Sequence, residues 1–319
     1  MAGKVNSVRF GVFGAGGVGG YFGGRLAQAG HDVTFIARGK HLAAILENGL
    51  RVESLLGDFV IRPAKATDDP RQAGVMDVIL VAVKAWDIPS AAEAMKPMVG
   101  EQTIVVPLEN GVDAPDQLSS VLGRKHVLGG LCRISSFVSP PGSIRHGGVP
   151  PYIAFSELDN QKSQRVDELF KVFSELPGVS AEIPVDIHKA LWEKFVFIAA
   201  ASGVGSVTRQ AIGVYRSVPE TRAMLVGVMQ EVVAVGRARG VAMGDDAVDR
   251  ILTNVIDRAP EGTIASMQKD IMEGRRSELE AQNGAVVRMG RELGVPTPIN
   301  TFIYACLLPM ELAALSKTS

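Results

Sequence analysis

The sequence predicts an α/β domain followed by an all-α domain, and three observations carry the prediction. Short apolar runs alternate with helical patterns through the first half, as in Val78-Ile79-Leu80-Val81-Ala82-Val83. A glycine turn, Gly14-Ala15-Gly16-Gly17-Val18-Gly19, follows the first of these runs and opens a helical pattern. Beyond Pro184 the strand signals stop and helical periodicity takes over. Strands alternating with helices imply βαβ units, a parallel sheet and right-handed crossovers.

Taken in order, Val8 to Phe13 reads as a buried strand. A helix follows from about Gly17 to Ala29, with Gly30 as its stop. Asp32 to Ile36 is the second strand, and Val78 to Val83 is a continuous apolar strand of the kind a sheet covered on both faces requires. Thr103 to Val106 is another. From Val127 to Phe155 glycine, proline and alternating residues predict meandering antiparallel strands at the sheet edge. A helix over Gln161–Leu176 and a strand near Val179–Ile183 close this part. Six helices are then predicted: Ile187–Val204, Pro219–Arg239, Asp245–Ile256, Ile264–Glu273, Leu279–Leu293 and Pro298–Leu315. The change of pattern sets the domains at 1–183 and 184–319.

Composition narrows the function. Across 319 residues, 33 Lys and Arg meet 34 Asp and Glu for a formal charge of −1. That balance lacks the basic footprint nucleic acid requires. Cys132 and Cys306 lie far apart and read as reduced core thiols. The five histidines (His31, His41, His126, His146, His188) are scattered without acids at ligand spacing, so no metal is assigned. No secretory signal is visible, and the uninterrupted apolar runs Phe195–Ala201 and Tyr304–Met310 are too short to span a bilayer. The expectation is a cytoplasmic protein with a small-molecule substrate and no nucleic-acid or membrane partner.

Gly14-x-Gly16-x-x-Gly19, between a strand and a helix, is the fingerprint of a Rossmann-type dinucleotide-binding domain. The first glycine permits the tight turn, the second admits the pyrophosphate and the third lets helix and strand pack closely. The helix N-terminus offers free N–H groups to the phosphates. At the end of the second strand an NAD enzyme usually carries an acid for the ribose hydroxyls. Here Arg38 and Lys40 stand there instead. Arg38 suits a 2′-phosphate, so the cofactor expected is NADPH.

Other candidates follow strand ends. Lys84 is placed to reach the 2′-phosphate or the edge of a cleft. Asn110, in Glu109-Asn110-Gly111, is placed near the nicotinamide, or is only an Asn-Gly turn residue. In the helical half, Lys194, Ile198 and Ser202 share one helix face. A lysine on so apolar a face either snorkels or serves as a general acid in a cleft. Glu278, at the start of a helix after Gly274, supplies a carboxylate to orient it, and Ser266 a hydroxyl and nearby N–H groups for a substrate carboxylate.

These pieces, in this order, resemble the ketopantoate reductase (2-dehydropantoate 2-reductase) family over roughly Val8 to Leu315. The markers are the glycine turn, Arg38, Val83-Lys84-Ala85-Trp86, Glu109-Asn110-Gly111, Leu191-Trp192-Glu193-Lys194, Ser266, Glu278 and Asn283-Gly284. The resemblance implies reduction of ketopantoate to pantoate with NADPH, on the route to pantothenate and coenzyme A. It implies a site in a cleft between the two domains, and often a homodimer. By the same resemblance Lys194 is the catalytic acid and Glu278 the carboxylate that organises lysine and substrate. Asn110 is then the cleft asparagine, Ser266 a substrate-carboxylate contact, and Arg38 and Lys84 contact the phosphate and the cleft.

The chain also departs from the pattern. Where the family's best-known members carry asparagines four and eight residues after the lysine, Ile198 and Ser202 stand here, and Thr263 replaces another asparagine. Sites that read polar groups discriminate strongly, so another small 2-oxo or 3-hydroxy acid is an alternative substrate. A non-catalytic NADPH sensor is the alternative from another class, against which Lys194 and Glu278 both speak.

Overall fold

The structure is a computed structural model that describes residues 7–317. The chain divides into two compact units. One comprises the chain to Glu109 with Asp113–Ile187, and the other comprises Asn110–Val112 with His188 onward.

The first unit is built on a five-stranded parallel sheet in the order Lys65–Thr67, Asp32–Ile36, Arg9–Phe13, Met76–Val81, Val99–Pro107. The chain adds strands outward on one side of Arg9–Phe13 and then crosses to the other. The switch point therefore lies between Arg9–Phe13 and Met76–Val81, where Phe13 pairs with Val81. Open α/β sheets bind their ligands outside the carboxyl ends of the strands at such a point. The middle strands are apolar where both faces are covered, and Phe10, Val12, Phe35, Leu80 and Val106 are wholly buried.

The glycine helix runs Gly17–Gln28, and Gly30 ends it with a φ of +92°. The segment between residues 39 and 75 holds elements the sequence reading passed over: helix Gly39–Asn48, strands Leu50–Ser54 and Phe59–Ile61, the edge strand Lys65–Thr67 and a short helix Pro70–Ala73.

The expected meander at the sheet edge is corrected. Leu128–Arg133 pairs antiparallel with Tyr152–Glu157, which pairs parallel with Ser180–Glu182 in a separate three-stranded sheet. Ser143–His146 pairs antiparallel with Ser136–Val138 and parallel with Leu50–Ser54 in a four-stranded sheet. Pro140 and Pro141 lack an N–H and cannot extend a ladder, so the chain turns there through Gly142 at φ +80°. The small sheet covers the glycine helix, where a Cβ at Gly20 would lie 2.7 Å from Ile144.

The second unit is helical. Its helices are Ile187–Thr208, Ile212–Ser217, Pro219–Ala238, Ala247–Ile251 running into a wider π-turn over Leu252–Ile256, Ser266–Met272, Asn283–Leu293 and Pro298–Leu315. The helix expected from Leu279 begins only at Asn283. Glu278 therefore sits in the turn before the helix rather than at its start, its carbonyl accepting from the amides of Ala281 and Gln282. Pro298–Leu315 is capped by a distant carboxylate: Glu231 accepts from the backbone amides of Ile299 and Asn300 and from Asn300 Nδ2. These are N-terminal donors of a helix with no partner of their own, and a buried acid satisfies them.

Ile187–Thr208 and Pro298–Leu315 are, as whole helices, long and apolar enough to cross a bilayer by length and composition. The expectation from uninterrupted runs missed this. In Ile187–Thr208 the apolar window is 67% buried, so packing accounts for it; in Pro298–Leu315 only 28% is buried. Cys306, on the latter helix, is exposed rather than in the core, whereas Cys132 is buried, and both are free.

Candidate active site

The glycine turn departs from the end of the central strand. Gly14 has a φ of +99°, and a Cβ there would stand 2.6 Å from the Ala82 carbonyl oxygen across the switch point. Gly19 is equally constrained, since a Cβ would run into the Gly14 carbonyl. Gly16 is different: nothing lies within 4 Å of a Cβ built there. The protein leaves this space open, and it is the space a pyrophosphate takes in this motif. Gly16 also precedes the helix without a side-chain cap, and no acid occupies the first turn. The helix thus offers its N-terminal amides no acid of its own, and the residues present fit a dinucleotide.

Arg38 follows the second strand as the residue before helix Gly39–Asn48. Its side chain is 80% exposed and pairs with Asp87 at 3.6 Å. Lys84 is also exposed, after Met76–Val81, with its ammonium 5.5 Å from the Trp86 ring centre. The turn over Ala85–Asp87 thus carries the acid that meets Arg38, so the two predicted basic residues belong to adjoining loops.

The remaining candidates fall in the second unit, which includes Asn110. Asn110 Nδ2 donates to Glu278 Oε2 at 3.3 Å across 168 residues of sequence. Glu278 is buried, and Gln282 Nε2 reaches the same oxygen at 3.5 Å. Lys194 is half-buried on helix Ile187–Thr208, with Ile198 half-buried and Ser202 buried further along. That helix meets the Glu278 segment through Asn283, which donates to the Ala199 carbonyl at 3.2 Å and to Asn300 Oδ1 at 2.9 Å. Gly203 lies against the same amide, where a Cβ would stand 2.8 Å from Asn283 Nδ2. Ser266 is the exposed first residue of helix Ser266–Met272.

Two family comparisons divide the chain between them. The family described as ketopantoate reductase PanE/ApbA matches residues 10–160, and the corresponding C-terminal family matches residues 186–311. A 2-dehydropantoate 2-reductase of Mesorhizobium japonicum is 30% identical over 90% of this chain and 93% of its own. The chain belongs to the ketopantoate reductase family. An uncharacterized oxidoreductase of Bacillus subtilis, YkpB, is 30% identical over 95% of this chain and 99% of its own. Among solved structures, the 2-dehydropantoate 2-reductase of Geobacter metallireducens superposes with a TM-score of 0.87 at 29% identity, covering 95% of this chain and 99% of that one. The protein is thus a dinucleotide-binding oxidoreductase with a parallel-sheet Rossmann-like domain and a helical C-terminal domain.

Within this ketopantoate reductase framework, several polar residues escaped the sequence reading. Glu109 is buried and accepts from the amides of Val83 and Leu108, clamping together the ends of two neighbouring parallel strands. A lone acid beside Asn-Gly carries no periodic signal that would mark it as structural. Gln282 is wholly buried beside Glu278, with its Oε1 unpartnered among the described residues. Asn283, quoted only as a family marker, is a buried tie between helices. Tyr215 donates to the Ala201 carbonyl at 3.3 Å, and burial pushes its phenol pKa up, so it remains a neutral donor. His41 bridges the glycine turn to the turn at Gly142.

Proposed function

We propose that this protein reduces the ketone of a small branched 2-oxo acid to the 2-hydroxy acid with NADPH, and that the acid is 2-dehydropantoate, on the way to pantothenate. The observation that carries the reading is the buried Glu278 carboxylate held by Asn110. Burying a carboxylate is costly unless it is paired and hydrogen-bonded. Membership of the ketopantoate reductase family supports a reductase reading, and in this reading the carboxylate's partner is Lys194.

In this reading the Gly14–Gly19 turn holds the pyrophosphate, while Arg38 exchanges its weak pairing with Asp87 for the 2′-phosphate, with Lys84 adding charge beside it. The cofactor, when bound, supplies the hydride. Lys194 gives its proton to the ketone oxygen and stabilises the negative charge developing there. Glu278 keeps the lysine charged and aimed, and Asn110 holds Glu278. Ser266 takes the substrate carboxylate, and Ser202 contributes to the substrate wall. Residues 1–183 serve the cofactor, and residues 184–319 serve the substrate and the pairing of two copies in a cytoplasmic homodimer.

One feature favours a second substrate. Ile198 puts an apolar, half-buried side chain where the best-known relatives carry an amide, which suits a 2-oxo acid with a more apolar side chain. The test is NADPH oxidation with 2-dehydropantoate and a panel of branched 2-oxo acids. Lys194→Ala is expected to lower kcat by roughly a hundredfold or more. Full turnover in that variant refutes the role of Lys194. Tight NADPH binding without turnover on any 2-oxo acid refutes the reaction.

A further inference from the structure

His41 lies on helix Gly39–Asn48, and both of its ring nitrogens are engaged. Nδ1 is 2.9 Å from the Gly142 amide nitrogen, and Nε2 is 2.8 Å from the Ala15 carbonyl oxygen. A backbone N–H can only donate, so Nδ1 accepts and carries no proton. The proton of the neutral ring then sits on Nε2 and is donated to Ala15. The two partners dictate this tautomer.

Ala15 is the second residue of the glycine turn. The amides of Gly14 and Ala15 are already pinned, both donating to the Ile36 carbonyl at 3.1 and 3.3 Å. The next peptide, Ala15–Gly16, lacks that support, and it precedes a glycine. Glycine accepts either sign of φ at little cost, so this peptide can rotate where its neighbours cannot. A trans peptide points its C=O and N–H in opposite directions. Holding the Ala15 carbonyl toward His41 therefore turns the Gly16 N–H away from it, at the one residue of the turn where a Cβ would meet open space.

We propose that His41 is a positioning residue of the cofactor turn: its Nε2–H fixes the Ala15–Gly16 peptide so that the Gly16 N–H is presented to the pyrophosphate. His41 touches neither cofactor nor substrate in this role. The inference rests on the reading that this turn binds NADPH. Arg38 on the same helix end makes the histidine's second contribution geometric, because the bond to Ala15 ties that helix end to the turn.

Calorimetric titration of the full chain with NADPH tests the proposal, using wild type, His41→Gln and His41→Asn. Glutamine places an amide N–H near the position of Nε2, whereas asparagine places only an amide oxygen near Nδ1. The asparagine variant is expected to bind NADPH about tenfold more weakly, with the glutamine variant within about threefold of wild type. In both, KM for the 2-oxo acid stays at the wild-type value. Equal weakening of the two variants, or asparagine binding as tightly as wild type, overturns the proposal. Thermal melts accompany the titrations; if the asparagine variant fails to fold, the bond is structural and the proposal falls. Wild-type protein that does not bind NADPH refutes the cofactor reading itself, and this inference with it.

Discussion

Gly16→Ala and Gly19→Ala separate what the cofactor demands of the glycine turn from what the fold demands. At Gly19 the new methyl would occupy the space of the Gly14 carbonyl oxygen and approach Val12 at 2.9 Å. Backbone cannot yield as a flexible side chain does, so the turn must open, at a cost of roughly 1–3 kcal/mol or more. At Gly16 the methyl meets nothing within 4 Å. The backbone there, at φ −69° and ψ −161°, is extended and suits alanine. Only its poorer capping remains, at about 1 kcal/mol or less. The same methyl stands in the space reserved for pyrophosphate, and loss of even one close phosphate contact weakens binding by about tenfold. Urea unfolding without cofactor and fluorescence titration with NADPH measure the two effects. Gly16→Ala should lose affinity with only a small drop in its unfolding midpoint, whereas Gly19→Ala should show the larger drop. Gly16→Ala binding NADPH like wild type, or Gly19→Ala matching wild-type stability, would refute the division.

Arg38→Ala should raise KM for NADPH by about tenfold to a hundredfold while leaving KM for NADH nearly unchanged, since a charge-assisted contact to the 2′-phosphate is lost. Stability should hold, because an exposed pair at 3.6 Å contributes little; equal effects on both cofactors would argue against a phosphate role. Asn110→Ala removes one donor from Glu278 and should lower kcat/KM by about tenfold without altering NADPH affinity, a split that steady-state kinetics read directly. Burial pushes the His31 pKa below its ordinary value of 6.5, against an opposing pull from Glu175. The unfolded chain therefore takes up the proton first, so stability falls as pH drops through that value and is regained above it. His31→Gln should flatten this slope between about pH 7 and 5, and an unchanged slope in urea midpoints would show that other groups set it.

The glycine turn and its flanking strand and helix were legible because their geometry is local. A glycine turn, the strand before it and the helix after it occupy about twenty consecutive residues, and the spacing states the backbone geometry. Arg38 was legible as a base where an acid is customary. The helical half was legible in outline from its periodicity. The residues 39–75 were not, since short strands and partial periodicity leave little signal, and neither was the division of the later strands into two sheets. That division depends on Leu50–Ser54 offering an edge to Ser143–His146, a contact spanning some ninety residues.

By itself, the sequence determined that a strand, a tight turn and a helix would present uncapped amides, and that a lysine and a glutamate would stand in a helical domain. Those are properties of neighbours along the chain, governed by φ, hydrogen-bond supply and helical periodicity. Only the tertiary structure decided that Asn110 belongs with Glu278 rather than being an Asn-Gly turn residue alone, that Glu278 lies in a turn rather than on a helix, and that His41 braces Ala15. Each depends on side chains brought together from distant segments, where hydrogen bonds must be met once water is excluded, and no spacing along the chain records that requirement.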